Sequence, residues 1–427
     1  MRRLWVALSI LLICSVSRIS ADDWPFWLGL RHDGTFAETG WLKDWPADGP
    51  KRLFEIPAGL GYSSVAVADG NLLFFERVGS VFNVDNLDPL TGRRKWRYSY
   101  PTDYIDRYGY SSGPRCCPVI DVSSTPRRVF TLGPKGVLTS LDLDSGNKLW
   151  VRDLQGEHNL QSNFFGVGAA PVLRGDRLFV NLGGTDVGTG LTFALDKSSG
   201  KTVWKKETGG GSYAAARIES VSGANQLFIF HRTGMTCFDP KDGREKWHFP
   251  WMSRTYESVN AATPVLADDV LFFSATYRTG GVALRVKTES YELMWKDDPR
   301  AREKILDTHW STSIHVDGYL YGFAGRHEPE STLRCVDLKT GEVQWTWASY
   351  LGRGALLYSD GHFIGLGERG DLALLQLNKE GYKELHRVRR VLSYPAWAVP
   401  TFANGLLYLR DEDKLICMDL RSPAASK

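Results

Sequence analysis

The sequence has little of what helical folds, metal sites and hydrolase motifs are built from. Helical periodicity is poor along its 427 residues, and cysteine (6) and histidine (9) are few. No Cys-x-x-Cys pair or histidine-rich cluster gives the spacing of a metal site. No Ser-His-Asp or paired-carboxylate arrangement stands out from the acids that serve turns. We therefore expect neither a metal site nor catalytic residues.

The chain also has little apolar sequence that could cross a bilayer. The apolar run from Leu4 to Val16 is too short for a comfortable membrane span. Arg2 and Arg3 precede this run and a small residue, Ala21, follows it, which is the pattern of an export signal. We predict a signal peptide over residues 1–21, no transmembrane segment, and a periplasmic or extracellular location.

An excess of charge of one sign is missing as well. Removal of the signal takes away Arg2, Arg3 and Arg18, which leaves 49 of the 52 basic residues against 49 acidic ones. A formally neutral mature chain argues against nucleic acid or an anionic membrane surface as its partner.

Glycine (43) and tryptophan (15) are abundant, and they recur at a fixed spacing. Leu141–Trp150, LDLDSGNKLW, has the pattern of a strand, a tight turn and a second strand. The sequence Asp-x-x-x-Gly-x-x-x-Trp within it occurs five times: at Asp88–Trp96, Asp142–Trp150, Asp196–Trp204, Asp239–Trp247 and Asp337–Trp345. Weaker copies lie at Leu284–Trp295 and Leu374–Leu385, and an eighth begins at Leu415. This periodicity predicts a repeat architecture, with each tryptophan packed between neighbouring repeats.

A second hairpin pattern precedes each of these copies, as in SSVAVADGNLLFF from Ser63. Each repeat thus contains four antiparallel strands, the unit of a propeller blade. We predict an all-β, eight-bladed β-propeller over residues 51–422. The eighth copy lacks an outer strand, and KRLFEI, with Phe54 in the tryptophan place, is expected to supply it and close the ring. An irregular, aromatic-rich leader over 22–50 should pack on the ring, and 423–427 should be a disordered tail.

The repeated motif resembles the tryptophan-docking repeat of propellers named after pyrroloquinoline quinone. These include quinoprotein dehydrogenases and the propeller lipoprotein of the outer-membrane assembly machine. The leader segment Trp24–Gly34, WPFWLGLRHDG, is similar to exported bacterial proteins of this type, although Leu28 and Leu30 depart from the expected W-P-x-F/W-R-G-P-x-x-D-G. The resemblance implies an eight-bladed propeller outside the cytoplasm, and a fold alone does not determine a function.

Loops that follow the tryptophan strands should all lie on one face of the ring, and there we predict binding. The loop Tyr98–Arg115, which is longer than a hairpin connection needs, contributes Tyr104, Arg107, Tyr108, Tyr110 and Arg115, and other loops contribute Arg254, Tyr256, Asn260, Trp310, Arg353 and Trp397. Two alternatives stay open. In the first, polar residues are present only because the opening of the propeller channel is solvated. In the second, Asp103, Asp106 and Arg107 pair internally, and the tyrosines only cap a blade.

Two classes of function fit these features. The first is a monomeric, non-catalytic scaffold without cofactor that binds an envelope protein or a small ligand at the funnel face. The second is a dehydrogenase that depends on pyrroloquinoline quinone and calcium. The adjacent residues Cys116 and Cys117 support this second class, because the resemblance implies a vicinal disulfide that alcohol-oxidising quinoproteins place against the cofactor. Glu257, Asn260 and Asp307 offer side-chain oxygens, but their spacing does not match the pattern of a calcium site.

The cysteines have simpler interpretations as well. Adjacent Cα atoms lie about 3.8 Å apart, below the usual disulfide range of about 4.4–6.8 Å, so we expect Cys116 and Cys117 to be free, packed thiols. Cys237, Cys335 and Cys417 each precede a repeat aspartate by two residues and should be small buried apolar groups. Cys14 raises the alternative of a lipoprotein cleavage site, although Ile13 stands where a small residue is expected, and lipid anchoring at Cys14 stays open.

Overall fold

The structure is a computed structural model that describes residues 22–184, 188–327, 330–348 and 350–422. The predicted signal peptide and tail, and with them Cys14, lie outside the described residues. Within these ranges no helix is long and apolar enough to cross a membrane.

Thirty-two strands and one short helix make up the regular structure of the described ranges. β1 (Lys51–Pro57) comes first. The first blade contains β2 (Ala66–Ala68), β3 (Asn71–Val78), β4 (Val81–Leu87) and β5 (Arg94–Pro101), and the second contains β6 (Val119–Asp121), β7 (Arg128–Leu132), β8 (Val137–Asp142) and β9 (Lys148–Asp153), followed by α1 (Leu154–Glu157). The third contains β10 (Val172–Arg174), β11 (Arg177–Gly183), β12 (Gly190–Asp196) and β13 (Thr202–Thr208), and the fourth contains β14 (Arg217–Val221), β15 (Ala224–His231), β16 (Gly234–Phe238) and β17 (Glu245–Pro250). The fifth contains β18 (Val265–Ala267), β19 (Val270–Ala275), β20 (Gly280–Val286) and β21 (Tyr291–Lys296), and the sixth contains β22 (Ile314–Val316), β23 (Tyr319–Ala324), β24 (Thr332–Asp337) and β25 (Val343–Trp347). The seventh contains β26 (Gly354–Ser359), β27 (His362–Gly367), β28 (Leu372–Asn378) and β29 (Gly381–Val388), and the eighth contains β30 (Thr401–Ala403), β31 (Leu406–Arg410) and β32 (Lys414–Asp419).

These strands form eight antiparallel four-stranded sheets, so the predicted eight-bladed propeller is confirmed. Seven blades follow the chain order from the inner to the outer strand. The eighth has the order β1-β32-β31-β30, with Phe54 opposite Cys417 and Ile56 opposite Leu415. The prediction that the amino-terminal strand completes the last blade is therefore confirmed.

Burial follows from the position of a strand in its blade. The middle strands lie between two neighbouring blades, so both of their faces are covered; β3, for example, is buried over six consecutive residues. The outer strands border solvent and alternate between exposed and partly buried residues, as β9 does. This difference explains the continuous apolar runs and the alternating ones in the sequence.

Four of the seams between blades are built from a tryptophan and a glycine of the repeat. A Cβ atom on Gly146 would lie 2.7 Å from the Trp96 ring of the preceding blade, so only glycine lets the ring approach this closely. The same pairing joins Trp150 to Gly200, Trp204 to Gly243, and Trp295 to Gly341. Each of these indoles also donates its N–H to a backbone carbonyl in the next blade, at Leu143, Lys197, Pro240 and Leu338 respectively. The tryptophans are therefore structural, as predicted.

The repeat aspartate fixes the turn that carries this glycine. Asp142 Oδ1 accepts hydrogen bonds from the backbone N–H of Asp144 (3.1 Å) and of Ser145 (2.8 Å). Asp88 makes the same turn, and its hydrogen bond from the Thr91 hydroxyl lowers the pKa of its carboxyl group. The aspartate thus orders the turn, which presents the glycine to the ring.

The fourth seam departs from this pattern. Trp247 has no glycine opposite it and packs edge-on against the Tyr291 ring, with centroids 5.0 Å apart. Its Nε1 is buried and has no hydrogen-bond partner among the described residues. This seam keeps the ring contact without the hydrogen bond.

The leader lies across the end of the ring that carries the aspartate turns. Trp24 pairs with Val67 of the first blade, and the Trp27 indole donates to the Thr263 hydroxyl near the fifth. The Gly34 carbonyl accepts the backbone N–H of Tyr358 in the seventh. Trp24, Leu28, Phe36, Trp41 and Trp45 are all buried. The leader therefore joins distant blades and covers this end of the central channel.

We predict different costs for two equivalent tryptophan substitutions. Trp150→Phe removes the hydrogen bond to the Lys197 carbonyl, whereas Trp247→Phe removes a buried N–H that has no partner. Trp247→Phe should therefore lower the free energy of unfolding by about 1–2 kcal/mol less than Trp150→Phe. Urea denaturation of both variants checks this, and equal losses would contradict it.

We also predict that stability falls as the pH rises through neutrality. Burial in the leader raises the pKa of Glu38 to about 7, from 4.5. The folded state therefore holds a proton that the unfolded chain releases, so this contribution is complete below about pH 4.5 and is lost as the pH passes 7. The free energy of unfolding should drop by on the order of 2 kcal/mol between pH 5 and pH 8.

Urea denaturation at both pH values measures this drop, and Glu38→Gln is the control. Glutamine keeps an oxygen that can accept the backbone N–H of Asp22, as Glu38 does, but it cannot ionise. The variant should lose most of the pH dependence. An unchanged slope in the variant would show that Glu38 is not its source.

Candidate functional site

The loops that follow the outer strands share one end of the ring with the turns between the second and third strands of each blade. This follows from the antiparallel order, in which alternate connections lie at the same end. We call this end, opposite to the leader, the funnel face. Its walls are therefore built from two sets of loops.

Asp106 organises the loop between β5 and β6 on this face. Its Oδ1 accepts hydrogen bonds from the backbone N–H of Tyr108 (3.0 Å) and of Tyr110 (3.1 Å), and its Oδ2 accepts one from Arg115 (2.9 Å). Asp103 pairs instead with Lys135. The internal pairing considered from the sequence thus involves Arg115, and Asp106 holds both tyrosines in place through their backbone.

Aromatic rings from several loops meet at the centre of this face. We call them the aromatic mouth, and they are Tyr108, Tyr110, Phe164, Phe165, Tyr256, Trp310, Tyr394 and Trp397. Tyr110 lies 5.4 Å from Phe165 and 5.6 Å from Trp397, between centroids, and so links loops that are far apart in the sequence. Trp397 in turn lies 6.5 Å from Trp310. The mouth is a connected aromatic surface.

A polar network holds Trp397 from below. Arg353 donates to both carboxylate oxygens of Glu368 (2.9 and 2.6 Å), and Glu368 also accepts the Trp397 indole N–H (3.1 Å). Arg353 can only donate, so His309 Nδ1 accepts from it, and His309 Nε2 carries the proton toward the Tyr277 hydroxyl. Burial, together with the charge of Arg353, lowers the pKa of His309 to about 3. His309 is therefore neutral at pH 7.

The eleven residues predicted for binding fall into three groups. Those exposed at the rim are Arg107, Tyr108, Tyr110, Arg254 and Tyr256. Those partly buried in the walls are Arg115, Trp310, Arg353 and Trp397, and those buried are Tyr104 and Asn260. The structure brings most of them to the aromatic mouth, and whether they bind a partner stays a prediction.

The two buried residues support the loops. The Tyr104 carbonyl accepts a hydrogen bond from Arg77, and burial raises the pKa of the Tyr104 hydroxyl to about 12. The Asn260 side-chain amide donates to the His231 carbonyl (2.7 Å), while the Asn260 backbone carbonyl accepts the backbone N–H of Tyr213. The Asn260 side chain is thus engaged within the protein, whereas the buried Tyr104 hydroxyl has no hydrogen-bond partner among the described residues.

A family model described as outer membrane protein assembly factor BamB matches residues 80–347, which is more than half of the chain. The chain belongs to this family. The resemblance to the propellers named after pyrroloquinoline quinone is therefore confirmed.

Two curated relatives of this BamB-family chain are similar to it over part of their length. They are tetrathionate hydrolase of Acidithiobacillus ferrooxidans, 22% identical over 307 residues, and outer membrane protein assembly factor BamB of Yersinia pestis, 24% identical over 235 residues. These matches cover 66% and 51% of this chain, and 55% and 53% of the relatives. The chain thus spans about half the length of the curated relatives it matches.

Solved structures share the architecture of the BamB-family chain. The crystal structure of BamB from Moraxella catarrhalis has a TM-score of 0.61 and 16% identity, over 88% of this chain and 99% of that one. Quinohemoprotein alcohol dehydrogenase from Comamonas testosteroni has a TM-score of 0.66 and 13% identity, over 95% and 81%. Identities this low establish the shared fold alone.

Several residues that lie beside the aromatic mouth were not predicted from the sequence. Tyr277, Arg326 and Glu368 lie in turns between second and third strands, which were not considered as part of this face. Arg326 lies over the Tyr277 ring, 4.3 Å from its centroid. The antiparallel order of each blade places those turns beside the loops that follow the outer strands, so the predicted strand order was enough to include them.

Cys116 and Cys117 are free, buried thiols whose sulfur atoms point in different directions. Cys116 Sγ lies 3.3 Å from the Ala169 carbonyl on the side of the third blade, and Cys117 Sγ lies 3.7 Å from the Val65 carbonyl on the side of the first. The two side chains belong to different hydrophobic clusters. Bringing the sulfurs together would require one side chain to leave its cluster.

These residues do not fit a calcium-bound quinone. Its dehydrogenase type, as the resemblance implies it, needs a vicinal disulfide facing the cofactor, whereas here both thiols face seams between blades. Within the described ranges, no group of three or more His, Cys, Asp or Glu side chains could hold a metal ion. We therefore assign no chemical step to such a cofactor.

We predict that mass spectrometry of the unreduced protein finds Cys116 and Cys117 as two thiols. Burial raises the pKa of both, so alkylation of the folded protein should be slow and should become fast in denaturant. A two-proton deficit on the peptide that contains both cysteines would overturn this prediction.

Proposed function

We propose that this chain is an exported, non-catalytic binding scaffold that docks a protein of the cell envelope on the aromatic mouth. The family description names an outer membrane assembly factor, and the predicted export signal agrees with a role outside the cytoplasm. We also propose that the chain acts as a monomer, without metal or cofactor.

The observation that carries this proposal is a set of exposed rings on a rigid frame. Tyr108, Tyr110, Tyr256 and Tyr394 are 43–63% exposed, although each ring contacts another aromatic ring. Tyrosine offers a large contact area with few rotatable bonds, so a ring already held in place loses little entropy on binding. A face of this kind is suited to docking.

The polar groups of the mouth favour binding over catalysis. Arg115 and Arg353 are each paired with a buried carboxylate, and these pairs support Tyr110 and Trp397. His309 is neutral at pH 7 and has a partner on each ring nitrogen. A general base needs a pKa near the operating pH, which His309 does not have.

We predict that Arg107→Ala combined with Tyr108→Ala abolishes partner capture while the protein stays folded. Arg107 is exposed and lies over the Tyr108 ring. That ring also meets Phe164 edge-on and Phe165 at a tilt. The loss in the free energy of unfolding should be about 1 kcal/mol. Pull-downs from envelope extracts, compared with thermal melts, test this prediction.

Two controls accompany this variant. Lys148→Ala combined with Leu149→Ala removes two exposed side chains from an outer strand and should leave capture intact. Asp106→Ala leaves Arg115 without its buried partner and should lower the free energy of unfolding by about 3 kcal/mol. Retained partners together with a large drop in melting temperature in the Arg107–Tyr108 variant would show that these residues only cap the blade.

The second class, a quinone-dependent dehydrogenase, stays as the alternative. Its support is the fold shared with quinohemoprotein alcohol dehydrogenase. A calcium-dependent absorbance change on addition of pyrroloquinoline quinone would favour it over the scaffold.

A further inference from the structure

A cleft lies at the leader end of the ring, opposite to the funnel face. It holds about 340 Å³ between residues 30–33 of the leader and the inner strands β10, β14 and β18 of the third, fourth and fifth blades. This volume is at the lower end of the range for small-ligand sites, about 300–1,000 Å³. The cleft therefore suits a small molecule or a very short peptide.

A buried arginine fixes the leader wall of this cleft. Arg217 is only 3% exposed, and its Nη1 donates to the backbone carbonyls of Arg31 (3.0 Å) and of His32. Its Nη2 donates to Glu219 (2.7 Å), so the buried charge is neutralised. The wall is thus held in place by the protein itself, and a ligand would not have to order it.

Apolar side chains from the leader and from three blades also line the cleft. Leu173, Ile218 and Leu266 are buried or partly buried, whereas Leu30 is 56% exposed. Leu30 is one of the two residues at which the leader departs from the expected pattern. It offers apolar surface at the edge of the cleft.

Two exposed charges of opposite sign stand at the two ends of the cleft. Arg174 belongs to the third blade and Asp268 to the fifth, with the fourth blade between them. Neither side chain has a hydrogen bond or an ion pair within the part of the chain that the structure describes. The leader's own charges, Arg31 and Asp33, lie two residues apart and both bond Thr35, so they add no net charge.

Two histidines report the same separation of charge. Burial, and after it the charges of Arg217 and Arg174, lower the pKa of His32 to about 3. Burial also lowers the pKa of His315 in the sixth blade, but there the charges of Asp268 and other acids oppose it. The cleft is therefore positive toward the third blade and negative toward the fifth and sixth.

We propose that this cleft binds a short zwitterionic peptide, with its carboxylate at Arg174, its ammonium group at Asp268 and an apolar side chain against Leu30. This goes beyond the proposed function, because it concerns the opposite end of the ring. Arginine matches the geometry of a carboxylate with paired donors, and an aspartate accepts from an ammonium group. Packed sheets lie about 10 Å apart, which is also the length of about three extended residues. The charges of a single amino acid are too close together to reach two blades that a third one separates.

The test uses isothermal titration calorimetry with the tripeptide Ala-Leu-Ala and two matched forms of it. One form is acetylated at its amino end, and the other is amidated at its carboxyl end, so each lacks one charge. The peptide with both free ends should bind about tenfold more tightly than either capped form at low salt. Equal binding of all three, or no binding of any at millimolar concentration, would overturn the proposal.

Substitutions assign each end of the peptide to its residue. Arg174→Gln should remove the preference over the amidated form and keep that over the acetylated form, whereas Asp268→Asn should do the reverse. Arg177→Gln and Asp269→Asn make the same changes in net charge nearby, outside the cleft, and should keep both preferences within about twofold. Thermal melts establish that each variant is folded. Equal effects of the cleft variants and their controls would mean that only net charge matters, and the proposal would fail.

Two more measurements separate other ligands and the two proposals. Free leucine that binds as tightly as the tripeptide would replace the peptide by a single amino acid and overturn the inference. The variant with Arg107→Ala and Tyr108→Ala should bind the tripeptide as the wild type does, even where it no longer captures envelope partners. Loss of the tripeptide in that folded variant would place the peptide at the aromatic mouth and end this inference alone.

Discussion

The close contact of an indole ring with a glycine in the next blade is the interaction on which the structure depends. A blade cannot bury its own middle strands, so every blade relies on the seam with its neighbours. A Cβ atom at Gly146 or Gly200 would lie within 3 Å of the facing ring, so glycine there is a requirement of contact and not only of turn geometry. Full burial of such a ring contributes about 2–3 kcal/mol, which makes each seam a sizeable part of the total stability.

At the seam that closes the ring, two residues replace the repeat tryptophan: one makes the ring contact and the other makes the hydrogen bond. Phe54 supplies the ring against Gly92, at 2.9 Å from a Cβ placed there, but it has no N–H to donate. The Tyr408 hydroxyl donates instead to the Pro89 carbonyl (3.0 Å), one residue after the repeat aspartate, as in the other seams. The chemistry of the seam is therefore kept where the motif is lost. The leader then ties the closing blade to the others.

How well each part could be predicted depends on its periodicity. The blades and the closure could be read from the sequence, because turns, alternation and the spacing of Asp, Gly and Trp are local and repeat many times. The path of the leader and the partner of Arg115 could not, since they depend on contacts between residues distant in the sequence. Trp27 meets Thr263, for example, across 236 positions. The loops of the funnel face were placed correctly, but which side chains are buried there, as Tyr104 and Asn260 are, is decided by tertiary packing.

On the funnel face, paired charges hold the aromatic rings in position. Inside the mouth, Arg115 and Arg353 are paired with Asp106 and Glu368, so their charges are neutralised and serve to hold aromatic rings. At its edge, the buried Asp411 accepts the backbone N–H groups of Ser393 and Lys414 and so holds the loop that carries Tyr394. Rings that are already held in place give contact area at little entropic cost. An apolar surface of a partner would therefore meet rings that are ordered before it arrives, on a face whose buried charges are already neutralised.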